Sequence, residues 1–171
     1  MHLYFCTGTK SRAWVIDVNG LRASIGEEVA SALLGIHAIT GWGSTSSFKW
    51  HGKKAAYQVL QSKPTLCGAL QHLGSQWHIP ADLLVLREEF VCALYRPVRS
   101  PVNNINELRY QLFTAKAAQT DHLLSTQDAL HLHLQQANYQ AVIWSRDLEA
   151  KRAVPTALDH GWQLVDSVLT I

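Results

Sequence analysis

Charge is scarce in this chain. Only 16% of its 171 residues are Asp, Glu, Lys or Arg, against an apolar share of 47%. Soluble domains usually carry about 25% charge. Two arrangements meet such a balance. One buries extra surface against a partner; the other is a compact monomer with a polar, uncharged surface rich in Gln, Ser, Thr and His. Cysteine is scarce too. Cys6, Cys67 and Cys92 are far apart, odd in number and in no CxxC or Cys/His spacing. That points away from zinc and from a disulfide framework, and toward the cytosol or nucleus. No apolar run approaches the roughly 20 residues of a membrane span. The N-terminus lacks the charged-then-apolar layout of a signal peptide. The expectation is an intracellular protein, nuclear or cytoplasmic, with no membrane partner.

Catalytic signatures are missing as well. No GxSxG elbow, Walker loop, HExxH or GxGxxG occurs. The acids are scattered, whereas metal-dependent phosphoryl hydrolysis needs several carboxylates converging on one or two cations. Glu88 and Glu89 are adjacent and cannot share a helix face. His131 and His133 are two apart on an expected helix, where side chains point about 200° apart, so they cannot hold one ion together. Neither catalytic nor metal-binding residues are expected.

One local absence says more. No acid lies between Glu28 and Asp82, while Lys49, Lys53, Lys54 and Lys63 fall inside, with His37, His51, His72 and His78. A net charge of +2 implies no polyanion by itself, but a local basic field fits this stretch. Its centre, residues 37–60, reads HAITGWGSTSSFKWHGKKAAYQVL: a helix end, a small-residue loop, then a second helix. Gly41 is placed to stop the first helix. Gly52 opens the second with its first N–H groups free, and Lys53 and Lys54 follow in the first turn. Lysine is normally unfavourable at that positive end of a helix, so its presence predicts an anion. The candidate nucleic-acid contacts are Thr45, Ser46, Lys49, Gly52, Lys53 and Lys54, the last three around one backbone phosphate. Such contacts carry little sequence preference. The alternative is a solvated loop whose lysines serve solubility. His37, near the end of the first helix, reads as a partly buried capping histidine.

The pattern predicts a mainly α (α+β) fold. Residues 3–6 and 14–18 form a β-hairpin around the turn at 7–11. A lone hairpin is unstable in water, so helix cover or further strands are expected, and the chain is expected to begin part-way through a sheet-containing fold. Helices are expected over 25–39, 53–62, 66–73, 82–95, 106–113 with Asn106 as cap, and 125–151 with Ser125 or Thr126 as cap. In the last, Leu130, Leu134, Ala137, Ala141, Trp144 and Leu148 recur on one face. A weak strand is expected over 164–171. Pro97 and Pro101 make 96–104 the expected boundary between 1–95 and a C-terminal helical region, 104–171.

The strings H-A-I-T-G-W-G-S-T-S-S-F and H-G-K-K-A-A resemble H-A-x-T-G-C-D-x-x-S-x-F followed by G-K-K-x-A. That motif belongs to a large group of poorly characterised animal proteins, many of them spread by mobile elements. Glu89-Phe90-Val91-Cys92 with Tyr95, Asn106-Glu107-Leu108-Arg109-Tyr110 with Phe113, Gln127-Asp128-Ala129-Leu130 with His133, Ala137-Asn138-Tyr139-Gln140-Ala141 with Ile143-Trp144, and Gly161-Trp162 are similar to strings of the same group. Over the first half, the group in turn resembles flap-endonuclease-like members of the PIN superfamily. The resemblance implies that residues 1–95 are the C-terminal part of a PIN-like domain. Its helix–two-turn–helix element would grip duplex DNA backbone, with a potassium ion at the turn and Mg²⁺ in the ancestral active site. Gly43 stands where the motif has its metal-ligand aspartate, and Trp42 where it has cysteine. The strands carrying the other acids of that superfamily are not in the sequence, nor is a cysteine-rich tail. The resemblance therefore implies a pseudoenzyme without a cofactor, catalytically inactive and bound to the DNA backbone. The alternative is a truncated interaction or structural protein that meets a protein partner or oligomerises. A third reading is a Mg-dependent structure-specific nuclease completed by carboxylates from a partner chain.

Overall fold

A computed structural model describes residues 1–43, 45–96, 102–115, 125–151 and 153–170. The fold is mainly α, with a small N-terminal β-hairpin. Its axis is α2 (Glu27–Ile39). Val29, Ala32, Gly35, Ile36, Ala38 and Ile39 are all buried, too many faces for a helix at the surface. Against α2 pack α3 (Lys53–Ser62), α4 (Cys67–Gln71) and α7 (Gln127–Ser145). The helix α5 (Ala81–Tyr95) links α3 and α4 to α6 (Ile105–Thr114). One apolar cluster contains Ile36, Leu60, Phe90, Leu108 and Leu134. The expected boundary at 96–104 therefore does not separate two cores; its residues 97–101 lie outside the described ones.

Two close approaches set the packing around α2. At Gly35, a Cβ would lie 2.3 Å from the Leu70 carbonyl oxygen, so α2 and α4 meet backbone to backbone. At the turn after α4, Asn138 of α7 does the fastening. Its Oδ1 accepts the Gly74 N–H at 3.0 Å, and its Nδ2 donates to the carbonyls of Gln76 and Trp77 at 2.8 and 3.0 Å. Arg87 of α5 is fully buried. Its Nε donates to the Ala69 carbonyl, and burial pushes its pKa down to about 10.

The hairpin forms as expected. Strands β1 (Tyr4–Thr7) and β2 (Trp14–Asp17) are antiparallel, with Tyr4 opposite Asp17 and Thr7 opposite Trp14. Its helix cover is α1 (Val18–Ile25), which the sequence reading missed. Asn19-Gly20 reads as a strand break. The Asp17 carboxylate accepts the Gly20 N–H at 3.0 Å, and that cap turns the break into a helix start. As a result α2 begins at Glu27, after Gly26 at φ +85°, and not at 25.

Other boundaries move for equally local reasons. Asn104, not Asn106, caps α6, accepting the N–H groups of Asn106 and Glu107. Thr126 caps α7 by accepting the Ala129 N–H. That helix stops at Ser145 instead of reaching 151, and Leu148 is fully exposed. The apolar stripe runs on past the core it would need. The expected weak strand at 164–171 is a second hairpin, β3 (Gln163–Val165) with β4 (Val168–Thr170). Its two turn residues, Asp166 and Ser167, sit at φ 50° and 65°, as two-residue hairpin turns require. Ile171 is outside the described residues.

Candidate nucleic-acid interface

The loop from Thr40 to Gly52 is built from its own hydrogen bonds. The Thr40 hydroxyl donates back to the Ile36 carbonyl at 2.6 Å and closes α2. Gly41 follows at φ +95°, where a Cβ would stand 2.5 Å from that of Ser47. The position thus demands glycine twice, for conformation and for space. Trp42 and Thr45 bond to each other twice. The Thr45 N–H donates to the Trp42 carbonyl at 2.8 Å, and its hydroxyl accepts the Trp42 N–H at 2.9 Å. Ser44 lies outside the described residues.

Beyond Thr45, the loop is tied to α7. The Ser46 hydroxyl lies 2.5 Å from His133 Nδ1, and His133 Nε2 lies 2.7 Å from the Ile39 carbonyl. A carbonyl only accepts, so Nε2 carries the proton. Nδ1 is then the acceptor and Ser46 the donor. Burial pushes the His133 pKa down and keeps the ring in that neutral form. Phe48 is buried with its ring 4.7 Å from that of His133 and 6.2 Å from that of Tyr95. The loop therefore arrives at α3 in a defined shape.

At α3 the chain turns outward. Gly52 is the N-cap, exposed and without a side-chain hydrogen bond to the helix. Lys53 and Lys54 are exposed in the first turn. Lys53 Nζ donates to the Gly41 carbonyl at 3.0 Å, which holds its charge beside the loop. Lys49 Nζ stands 5.9 Å above the Trp50 ring, and Trp50 itself is at φ +69° and 72% exposed. Of the six candidate contacts, Gly52, Lys53 and Lys54 lie at this exposed tip, and Lys49 is exposed on the loop before it. Thr45 is buried and bonded to Trp42, and the Ser46 hydroxyl is held by His133.

The sequence reading missed an aromatic stack beside the tip. The His37 ring lies 5.0 Å from Trp42 and 5.1 Å from Trp144. His37 is partly buried as expected, but its ring packs between two tryptophans instead of capping the helix. Burial, and secondarily the Lys53 charge, push its pKa down. Next to it a groove of about 430 Å³ runs between α2 and α3, lined by Leu33, Ile36, His37, Lys53, Lys54 and Tyr57. The signal was available. Leu33, Ile36 and His37 are spaced on one face of α2, and Lys53 and Tyr57 on one face of α3.

Gly43 offers no side chain to Mg²⁺, and among the described residues no group of three or more His, Cys, Asp or Glu is placed to hold a metal ion. The Gly41 carbonyl, in the turn where potassium is implied, already receives the Lys53 ammonium. Among the described residues no helix is long and apolar enough to cross a membrane.

Four histidines carry a pH consequence. His37, His51, His133 and His160 all have pKa values pushed down, with burial the largest cause in each. As pH falls, the unfolded chain takes up these protons first. Stability is therefore complete above the ordinary histidine value of about 6.5 and is lost as pH drops through it. The thermal midpoint followed by circular dichroism is expected to fall by several degrees between about pH 7.5 and about pH 5.5. His133→Gln should flatten that dependence.

No family model, curated protein or solved structure matches this chain. The functional reading therefore stands on the residues and on the geometry of the tip.

Proposed function

We propose that this chain is a catalytically inactive, nuclease-derived protein that binds nucleic acid through its phosphate backbone. The observation that carries the reading is the start of α3. A helix opens there on an exposed, uncapped glycine with two exposed lysines in its first turn. Its unpaired N–H groups and the positive end of its dipole favour an anion. No acid lies in residues 29–81, so the lysines carry the local charge of this stretch. Gly43 leaves room for the motif's aspartate. Its φ is not left-handed, and a Cβ there would meet nothing within 4 Å.

The test is a salt titration with duplex DNA. With Lys53 and Lys54 on one phosphate and Lys49 on a second, the log–log slope of affinity on salt is expected near −2, from about −0.9 per phosphate. A slope of zero, or no binding at low salt, removes the reading. The alternative, an interaction protein without nucleic acid, draws on the hairpin. Tyr4, Phe5, Trp14 and Val15 are each more than half exposed on it.

A further inference from the structure

We infer that the groove between α2 and α3, together with Trp42 packed on His37 of its lining, takes the unstacked bases of single-stranded nucleic acid whose phosphates lie on the α3 tip. The inference rests on the phosphate reading above and adds the strand type. Intact duplex offers that tip only phosphates and sugars, its bases being stacked inside. A single strand offers flat apolar rings at each phosphate step, and proteins that bind it combine a basic track with aromatic platforms.

Both parts occur here within one patch. Trp42 is 55% exposed although its ring is held against His37 and lies in edge contact with Trp144 at 6.3 Å. The ring is therefore fixed in orientation yet open to solvent, which lowers the entropy lost when a base stacks on it. Lys53 joins the two parts. Its ammonium bonds the Gly41 carbonyl, one residue from Trp42, and its side chain lines the groove with Lys54. The groove floor is apolar, from Leu33, Ile36 and Tyr57. Its volume falls in the roughly 300–1,000 Å³ range of small-ligand clefts. Charge complementarity selects the occupant. Lysines rim an apolar floor in a stretch of chain without acids, which suits an anion that carries flat rings. An apolar segment of another protein would leave both ammonium groups without a counter-charge.

The experiment compares three labelled ligands of equal length at one low salt concentration, by fluorescence anisotropy: a mixed-sequence single strand, an abasic single strand and a blunt duplex. The ordinary strand is expected to bind about tenfold more tightly than the abasic strand, as stacked bases confer. Trp42→Ala should reduce the ordinary strand to the abasic level and leave the abasic strand unchanged. Leu33→Gln, at a 41% exposed helix position, should do the same in part without touching the aromatic stack. Equal binding of ordinary and abasic strands overturns the inference and leaves the phosphate reading intact. Preference for blunt duplex does likewise. No binding of any ligand removes both. A dimer seen by light scattering and dissociated by Leu33→Gln, with no base dependence, assigns the groove to a second copy of the chain instead.

Discussion

Exchanging Lys53 and Lys54 for glutamate is expected to abolish binding to nucleic acid, by about a hundredfold or more at low salt. Two ammonium groups that release counterions become two carboxylates that repel phosphate. Alanine at both positions should act more mildly and lower the salt slope by about 1, for the one phosphate they share. The fold should not suffer. Acids suit the first turn of a helix, where Lys53 and Lys54 now oppose the dipole. Against that gain stands the hydrogen bond from Lys53 to the Gly41 carbonyl, which glutamate cannot donate. Binding should therefore vanish while the thermal midpoint holds or rises. Lys63→Glu, at the opposite end of the same helix, is the matched control and should leave affinity within about twofold, since it makes no phosphate contact. Unchanged affinity in the double variant would falsify the reading of the α3 tip.

Gly35→Ala is expected to be strongly destabilising for so small a substitution. Two effects compete. Alanine is favoured over glycine in a helix interior by about 1 kcal/mol. Against that, the new Cβ falls 2.3 Å from the Leu70 carbonyl oxygen and 3.0 Å from its Cβ. The obstacle is helix backbone, not a side-chain tip that can swing away. Overpacking of that kind costs about 3 kcal/mol at the upper end of its range. The clash wins by about 2 kcal/mol, which lowers the thermal midpoint by about 4–8 °C in a chain of this size. Gly68→Ala supplies the contrast. That glycine lies in α4, and a Cβ there meets nothing within 4 Å. It should be neutral or stabilising by up to about 1 kcal/mol. Denaturant unfolding of the two variants side by side reads both effects. Equal stability would mean that α2 and α4 do not pack backbone to backbone.

Much of the fold was legible because local chemistry and packing agree there. The bounds of α3 match the expected 53–62, fixed by Gly52 ahead and Pro64 behind. The first hairpin and the stop at Gly41 were legible for the same reason. Legibility failed where one side chain reversed a local signal. Asp17 made a helix of a turn sequence, and Asn104 took the capping role given to Asn106. Periodicity also overran the core at Leu148. Arg87 is fully inside, a placement that only tertiary structure decides. At the candidate site, the lysines and glycine were readable from composition and capping rules. The Trp42–His37–Trp144 cluster was not, because Trp144 reaches it from more than a hundred residues away in the chain. Several strings of the second half proved to be fasteners. Asn138 pins the turn at Gly74, and Gln127 bonds Glu88 across from α6.

His133 has a wider reach than its size suggests. One imidazole holds Ser46 of the loop and Ile39 of α2 at once, and it is mounted on a helix from the other end of the chain. A slip of α7 by a single residue would move it about 1.5 Å and swing it about 100°, away from both. The helix therefore works as a gauge for the loop's shape. Damage inside the distant half would be transmitted to the face proposed to meet the polyanion, so on that proposal a weakened grip on nucleic acid can originate far from any phosphate contact.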